Sequence, residues 1–207
     1  MSRTNRAWIG TTALAIALAA TGARAESPAA KVIARLNGVL LDVLKNAATL
    51  GYAGRVERLT PAVTAAYDVP FMAEKSLGPH WAELSEAQRQ RWIDLSRRFS
   101  VANYAANFDH WSNQTIDIVG EEPSANDTTI VRTKLVDPAG EGVEMSYRLR
   151  STPEGWKIVD VLLKGTVSEL ALRRSDYTAV LEQQGFDALA TSMERKIADL
   201  ASGKTKR

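Results

Sequence analysis

The segment from Ser85 to about Trp111 most constrains the fold, because its apolar residues follow helical spacing on two sides rather than one. Ser85 and Gln88 have the form of a capping box, which places the start of a helix there. A surface helix has a single apolar stripe, whereas a helix with two stripes is packed on both sides. We therefore predict that this helix lies between other helices and a sheet. One stripe contains Trp92, Leu95, Phe99, Ala102 and Ala106, and the other contains Ile93, Val101, Tyr104, Phe108 and Trp111.

Helical spacing is also present on either side of this segment. Pro61 lies inside one of the earlier helices, where we expect a kink or two shorter pieces. Ser168 and Ser175 are candidate N-caps for two short helices, and Gly185 is a suitable residue to end the second of them. The other predicted helices cover residues 28–45, 54–67, 69–76 and 186–201.

Four segments between the helices have strand character. Residues 143–150 alternate strictly between apolar and polar side chains, which predicts a strand with one buried face. Residues 156–163 are apolar on both faces except for Lys157 and Asp160, which is typical of a strand inside a sheet. Helices followed by strands and then by helices predict an α+β fold. We expect a curved antiparallel four-stranded sheet with helices across its concave face, enclosing a cone-shaped hydrophobic pocket. The remaining two strands are predicted over residues 114–121 and 128–136.

Side chains of the long helix, the sheet and the segment before the helix are expected to line this pocket. For any single one of them, ordinary core packing is the alternative. Lys164, Arg173 and Arg174 follow the last strand and are candidates to meet an anionic group or an acidic partner, the alternative being a solvated charged surface. The predicted apolar lining consists of Phe71, Met72, Trp81, Ile93, Val101, Tyr104, Phe108, Met145, Tyr147, Leu149, Val159 and Val161.

Asp160 is the one residue whose position points to chemistry, because it interrupts an apolar strand. A buried carboxylate needs partners or a shifted pKa. It is either a general base in the pocket or a structural ion-pair partner of Arg148, Arg173 or Arg174. Neither histidine has the spacing of a metal ligand, and the chain has no cysteine. No metal site, cofactor or catalytic residue is therefore predicted.

The first 25 residues have the order of a secretory signal peptide. Arg3 and Arg6 precede an apolar run over residues 7–20, and Ala23 and Ala25 give the small-x-small pattern of a cleavage site. The run is too short for a spanning helix, although an uncleaved anchor is the alternative. Cleavage after Ala25 would remove three arginines and leave a net charge of −1, which does not favour nucleic-acid binding. We expect one domain over residues 26–202 and a frayed basic tail over 203–207.

Two stretches near the last strand resemble the MlaC ("toluene tolerance") family of periplasmic proteins. They are residues 155–161, Gly-Trp-Lys-Ile-Val-Asp-Val, and residues 165–171, Gly-Thr-Val-Ser-Glu-Leu-Ala. Residues 77–81, 103–105 and 173–175 are more similar to the hopanoid-associated branch called HpnM. The sequence Thr166-Val167-Ser168, where the family usually has Gly-Val-Ser, also favours that branch. The resemblance extends from about residue 30 to residue 200.

The resemblance implies an NTF2-like fold with a deep hydrophobic pocket. It implies a carrier that moves a phospholipid or a hopanoid between the inner and outer membranes, together with an ABC transporter that has an MCE-type component or with an exporter. The alternatives are an NTF2-like enzyme that uses Asp160 as a base on an apolar substrate, and an interaction module without a ligand.

Overall fold

The computed structural model describes residues 26–138, 140 and 142–204. The predicted signal peptide and the last three residues of the predicted tail lie outside the described residues. The described residues form four α-helices and one short 3-10 helix, then a sheet, then a last long helix. The helices are α1 (Pro28–Lys45), α2 (Ala47–Ala66), α3 (Val69–Leu77), a 3-10 helix (Gly78–Glu83), α4 (Glu86–Asn107) and α5 (Glu169–Ala201). The strands are β1 (Thr115–Ser124), β2 (Thr128–Val136), β3 (Gly142–Thr152), β4 (Gly155–Leu163) and β5 (Val167–Ser168).

Side-chain caps fix the starts of four helices. Ser27, Asp68 and Ser168 each accept a hydrogen bond from a backbone N–H in the first turn of α1, α3 and α5. At α4, Ser85 and Gln88 form the predicted capping box in both directions. Ser175, the other candidate cap, lies inside α5, so that prediction was wrong.

Glycine rather than proline interrupts the long helices. Gly51 in α2 and Gly185 in α5 have positive φ angles of 58° and 79° with extended ψ, a backbone state that favours glycine. The start of the last helical piece after Gly185 is therefore confirmed, and Gly51 lies in the gap between the helices predicted over residues 28–45 and 54–67. Pro61 lies within α2 after Gly51 and keeps helical backbone angles, so the division into two pieces predicted at this proline was wrong. No helix in the described part of the chain combines the length and apolarity that crossing a membrane requires.

The sheet is an antiparallel meander in the order β1-β2-β3-β4-β5, so the predicted α+β fold class is confirmed. The strand count was one too low, because β5 contains only two residues and pairs with the end of β4. Such a short strand leaves no periodic pattern in the sequence. Bulges between Ile118 and Gly120 and between Arg148 and Leu149 increase the local twist of β1, β3 and β4.

Two hydrophobic clusters hold the domain together, and α4 belongs to both. Trp92 and Leu95 pack with α3 and α5 in an all-helical cluster. Val101 and Phe108 pack in a larger cluster between the sheet and helices α1 and α2. These pairs come from the two different stripes, so the two-sided packing predicted for α4 is confirmed. The helix ends at Asn107, about one turn earlier than predicted.

Candidate functional site

A wide cavity forms a groove between α1, α2 and the turn that joins β3 to β4. Its volume is about 920 Å³. This size falls at the upper end of the range of small-molecule pockets, about 300–1,000 Å³. We call it the α1–α2 groove. Apolar side chains from all three elements line it: Val32, Leu36, Val39, Pro61, Ala62, Ala66 and Trp156.

Small residues line part of the groove. Gly38 lies in the middle of α1, and Ala62 and Ala65 lie on the facing helix. A Cβ atom added at Gly38 would meet nothing within 4 Å. Glycine inside a helix costs about 1 kcal/mol relative to alanine, so its presence here needs a reason other than helix stability. The open space beside it supplies that reason.

Four cations and two carboxylates surround the apolar part of the groove. Lys31 and Arg35 come from α1, Arg58 from α2 and Lys157 from β4, whereas Asp42 and Glu154 carry negative charge. The lining of the groove therefore has a net positive charge. An apolar groove with a positive rim is suited to an amphipathic ligand with an anionic end.

A second cavity, of about 310 Å³, lies between α4, α3, the beginning of α5 and the other end of β3 and β4. We call it the α4–sheet cavity. Met145 and Val161 line it from the sheet, and Tyr104 and Phe108 line it from α4. Trp156 of the groove and Val161 of the cavity lie on the same face of the sheet. Between them, Leu149 and Ile158 are fully buried, so packed core separates the two spaces.

A chain of three tyrosine hydroxyls joins the helices to the sheet at the α4–sheet cavity. The Tyr104 hydroxyl lies 2.6 Å from that of Tyr67 and 3.2 Å from that of Tyr147. Burial, and next the coulombic interaction between neighbouring tyrosines, raises the pKa of all three hydroxyls well above the ordinary value. The hydroxyls therefore stay neutral and continue to donate hydrogen bonds across the pH range in which proteins work.

An ion pair lies on the wall of the same cavity. Arg173 Nη2 is 2.6 Å from Glu169 Oε1, and the guanidinium lies over the ring of Phe99 at 4.9 Å. Burial by itself would lower the pKa of Arg173, but the Glu169 carboxylate and Tyr177 raise it overall. The predicted cation is thus already neutralised inside the protein by a residue one helical turn away.

Asp160 has a structural role at the start of α5. Its two carboxylate oxygens accept hydrogen bonds from Ser168 Oγ at 2.6 Å and from the Leu170 N–H at 3.1 Å. A carboxylate at a helix N-terminus is favoured by the helix dipole. The partners of Asp160 among the described residues are this hydroxyl and amide rather than the expected arginines.

The structure brings six of the sequence-predicted site residues together around the α4–sheet cavity, four more are buried core residues, and one packs between the two hydrophobic clusters. Val101, Tyr147 and Leu149 are almost fully buried in the sheet-side cluster. Val159 is also buried, at the unpaired bulge position of β4. Ile93 packs between the two clusters. The six residues that line the cavity are Met72, Tyr104, Phe108, Met145, Val161 and Arg173.

The other predicted site residues lie elsewhere. The Phe71 ring is covered by the Arg150 guanidinium at 4.1 Å, and the Trp81 ring is covered by Arg89 at 5.6 Å. Lys164 is exposed in the turn after β4, with a positive φ of 51°. The Arg174 guanidinium packs directly against Gly78, at the start of the 3-10 helix that follows α3.

No cluster of three or more potential metal ligands occurs in residues 26–138, 140 and 142–204. His80 lies 3.2 Å from Glu83 and 3.6 Å from Glu182, in a partly exposed position on the helical side. His110 is exposed after the end of α4.

None of the predicted site residues lies in α1, so the α1–α2 groove was not predicted from the sequence. Two signals were available. Gly38 interrupts a good helical sequence, and Lys31 and Arg35 place like charges four residues apart. Like charges at this spacing destabilise a helix, so both features cost stability where the groove lies.

Together, the open groove and the α+β scaffold define a domain that presents an apolar binding surface beside a packed core. The family model described as "MlaC protein" matches residues 35–195, and the chain belongs to this family. Among solved structures, the chain is similar to a phospholipid-binding protein from Ralstonia solanacearum in complex with a phospholipid. That similarity has a TM-score of 0.70 at 19% identity and covers 86% of this chain and 98% of the other. No curated protein matches the chain.

Proposed function

We propose that this protein is a lipid carrier that holds the apolar part of one lipid in the α1–α2 groove. The observation that carries the proposal is an open, predominantly apolar space of about 920 Å³ in a member of the MlaC family. The similar protein from Ralstonia solanacearum binds a phospholipid, which supports a phospholipid as the ligand. The alternative within the same proposal is a hopanoid, because the similarity to the HpnM branch extends over residues 77–81 and 173–175.

The energetics favour a groove of this kind for a carrier. Burial of each CH₂ group contributes about 0.8 kcal/mol, so moving an acyl chain into water costs on the order of 10 kcal/mol. A carrier must offset most of this cost and still release the lipid at its target membrane. An apolar lining offsets the cost, and a groove that is partly open to solvent leaves a path for release.

The cellular context completes the proposal. The secretory signal pattern of residues 1–25, with cleavage after Ala25, and the MlaC family together support a location in the periplasm. There the protein, as a single domain over residues 26–202, would shuttle its lipid between the inner and outer membranes. We propose an inner-membrane ABC transporter with an MCE-type component, or an exporter, as its partner.

The residues of the site support ligand binding rather than catalysis. Both oxygens of Asp160, the candidate base, accept hydrogen bonds that hold the start of α5. The two histidines lie outside the linings of the groove and of the α4–sheet cavity. The α4–sheet cavity, which contains six of the predicted site residues, is the alternative location for the lipid.

The test fills the groove at Gly38. A Gly38→Phe variant places a ring where no atom lies within 4 Å of the added Cβ, so we expect it to fold. Gly38→Ala is the matched control, because it removes the glycine but leaves the groove open. Lipid that co-purifies from a bacterial host is extracted and measured by mass spectrometry, and uptake of added phospholipid is measured separately.

We expect Gly38→Ala to carry lipid like the natural protein and Gly38→Phe to lose most of it. Met145→Phe, which fills the α4–sheet cavity instead, should retain lipid. Retention by Gly38→Phe with loss in Met145→Phe would move the lipid to the second cavity. Absence of lipid and of uptake in the natural protein would overturn the carrier function itself.

A further inference from the structure

We infer that Lys31 and Arg35 form a phosphate-recognition site for the lipid head group at the rim of the α1–α2 groove. The inference rests on the proposed function and deepens it, because it selects lipids that carry a phosphate over neutral lipids of the same apolar size. It begins from a difference among the four cations that line the groove.

Two of the four cations already have partners. Arg58 Nε lies 3.8 Å from Asp42 Oδ2, across the space between α2 and α1. Lys157 Nζ donates a 2.7 Å hydrogen bond to the carbonyl oxygen of Ala65, in the last turn of α2. These two side chains therefore tie the walls of the groove to each other and to the sheet.

Lys31 and Arg35 have no such partner: neither side chain forms a hydrogen bond or an ion pair with any of the described residues. Both line the groove and both are exposed. They lie four residues apart on one side of α1, which places their Cβ atoms about 5–6 Å from each other. One phosphate group can therefore contact both side chains at once.

The position of the pair is unfavourable in the absence of an anion. Like charges four residues apart repel each other on a helix. Lys31 is also in the first turn of α1, which contains no acidic residue, and a positive charge there opposes the helix dipole. A bound phosphate would relieve both costs, and the Arg35 guanidinium can bind it through two parallel hydrogen bonds.

The apolar floor lies directly beside this pair. Val32 and Leu36 each follow one of the two cations in the sequence, and both are buried in the groove lining. A phospholipid is built in the same way, with a phosphate attached next to its acyl chains. A hopanoid or diacylglycerol would fill the apolar floor but leave Lys31 and Arg35 unpaired.

The experiment compares ligands that differ only in the phosphate. Binding of phosphatidic acid and of diacylglycerol with identical short acyl chains is measured by native mass spectrometry. The variant Lys31→Gln/Arg35→Gln removes both charges, and Arg195→Gln/Lys196→Gln removes two charges of α5 outside the groove lining as a matched control. Glycerol 3-phosphate, which has the head group without the chains, is the third ligand.

We expect the double variant in α1 to bind phosphatidic acid about 10-fold more weakly, since two exposed charge contacts are lost. Its binding of diacylglycerol should be unchanged, and the α5 control should bind both lipids like the natural protein. Unchanged binding of phosphatidic acid, or an equal loss for both lipids, would overturn the inference and leave the carrier function standing. Glycerol 3-phosphate that binds as tightly as phosphatidic acid would assign the pair to free phosphates and also overturn it. If the natural protein binds neither lipid, the carrier function itself fails.

Discussion

The α1–α2 groove and the α4–sheet cavity lie over opposite ends of one sheet face, yet they differ in how their polar groups are satisfied. In the cavity, three tyrosine hydroxyls bond to one another and Arg173 pairs with Glu169. In the groove, Lys31 and Arg35 have no partner among the described residues, and the space beside Gly38 is open. A ligand can bind beside Lys31 and Arg35 without breaking a hydrogen bond of these side chains. The polar groups around the cavity are already paired with one another, and these pairs stabilise the fold.

The largest expected effect that separates the two regions is a loss of stability at high pH. Burial raises the pKa of the three cavity tyrosines well above the ordinary value, and it raises the pKa of Tyr177 in the helical cluster to about 12. Unfolded tyrosines ionise near pH 10, so these groups stabilise the fold fully below that pH. Stability should fall as the pH rises above 10, by about 3 kcal/mol for Tyr177 alone.

Chemical denaturation between pH 8 and 12 measures this loss, and absorbance at 295 nm reports tyrosine ionisation. No tyrosine lines the groove. Lipid binding per folded molecule should therefore stay constant to about pH 9.5, below the range in which tyrosines ionise. Ionisation of all five tyrosines near pH 10 in the folded protein would show that the hydroxyl chain is open to water.

The next effect is at Asp160. We expect Asp160→Ala to lower the free energy of unfolding by about 3 kcal/mol, because it removes two hydrogen bonds to a buried carboxylate. Thermal or urea denaturation measures this change, with Asp117→Asn on exposed β1 as a control of small effect. Lipid binding below the melting temperature should not change. If Asp160→Ala is as stable as the natural protein but binds lipid differently, Asp160 has a functional role rather than a structural one.

The smallest effect is at the middle of the hydroxyl chain. Tyr104→Phe leaves the hydroxyls of Tyr67 and Tyr147 without their shared partner, which should cost about 1–2 kcal/mol of stability. Tyr52→Phe is the matched control, because Tyr52 is half-buried outside the cavity. Both variants should carry lipid normally. Loss of lipid in Tyr104→Phe alone would assign the ligand to the α4–sheet cavity.

Much of the fold could be predicted because its signals are local. The capping box at Ser85, the two stripes of α4 and the alternation in β3 each depend on residues close in sequence, and each is present in the structure. The predictions that were wrong also relied on local signals. β5 is too short to produce a pattern, and Ser175 has the character of a cap although α5 continues through it.

The candidate site was predictable only in part, since a cavity depends on what neighbouring elements leave unfilled. Residues expected to line one pocket divide between a small cavity and solid core: Met145 and Val161 face the cavity, whereas Leu149 is fully buried between it and the groove. All three have the same apolar character and lie in adjacent strands. Nothing in their own sequence distinguishes a side chain that borders space from one that fills it.

The sequence by itself determined the element order, the α+β class and the two-sided packing of α4, because periodicity and capping act within a few residues. Only the tertiary structure decided where the open space lies. The groove is bounded by α1, α2 and the turn between β3 and β4, and its small lining residues Gly38, Ala62 and Ala65 come from two separate helices. Free volume is a property of the packed whole, whereas amphipathicity is a property of each segment.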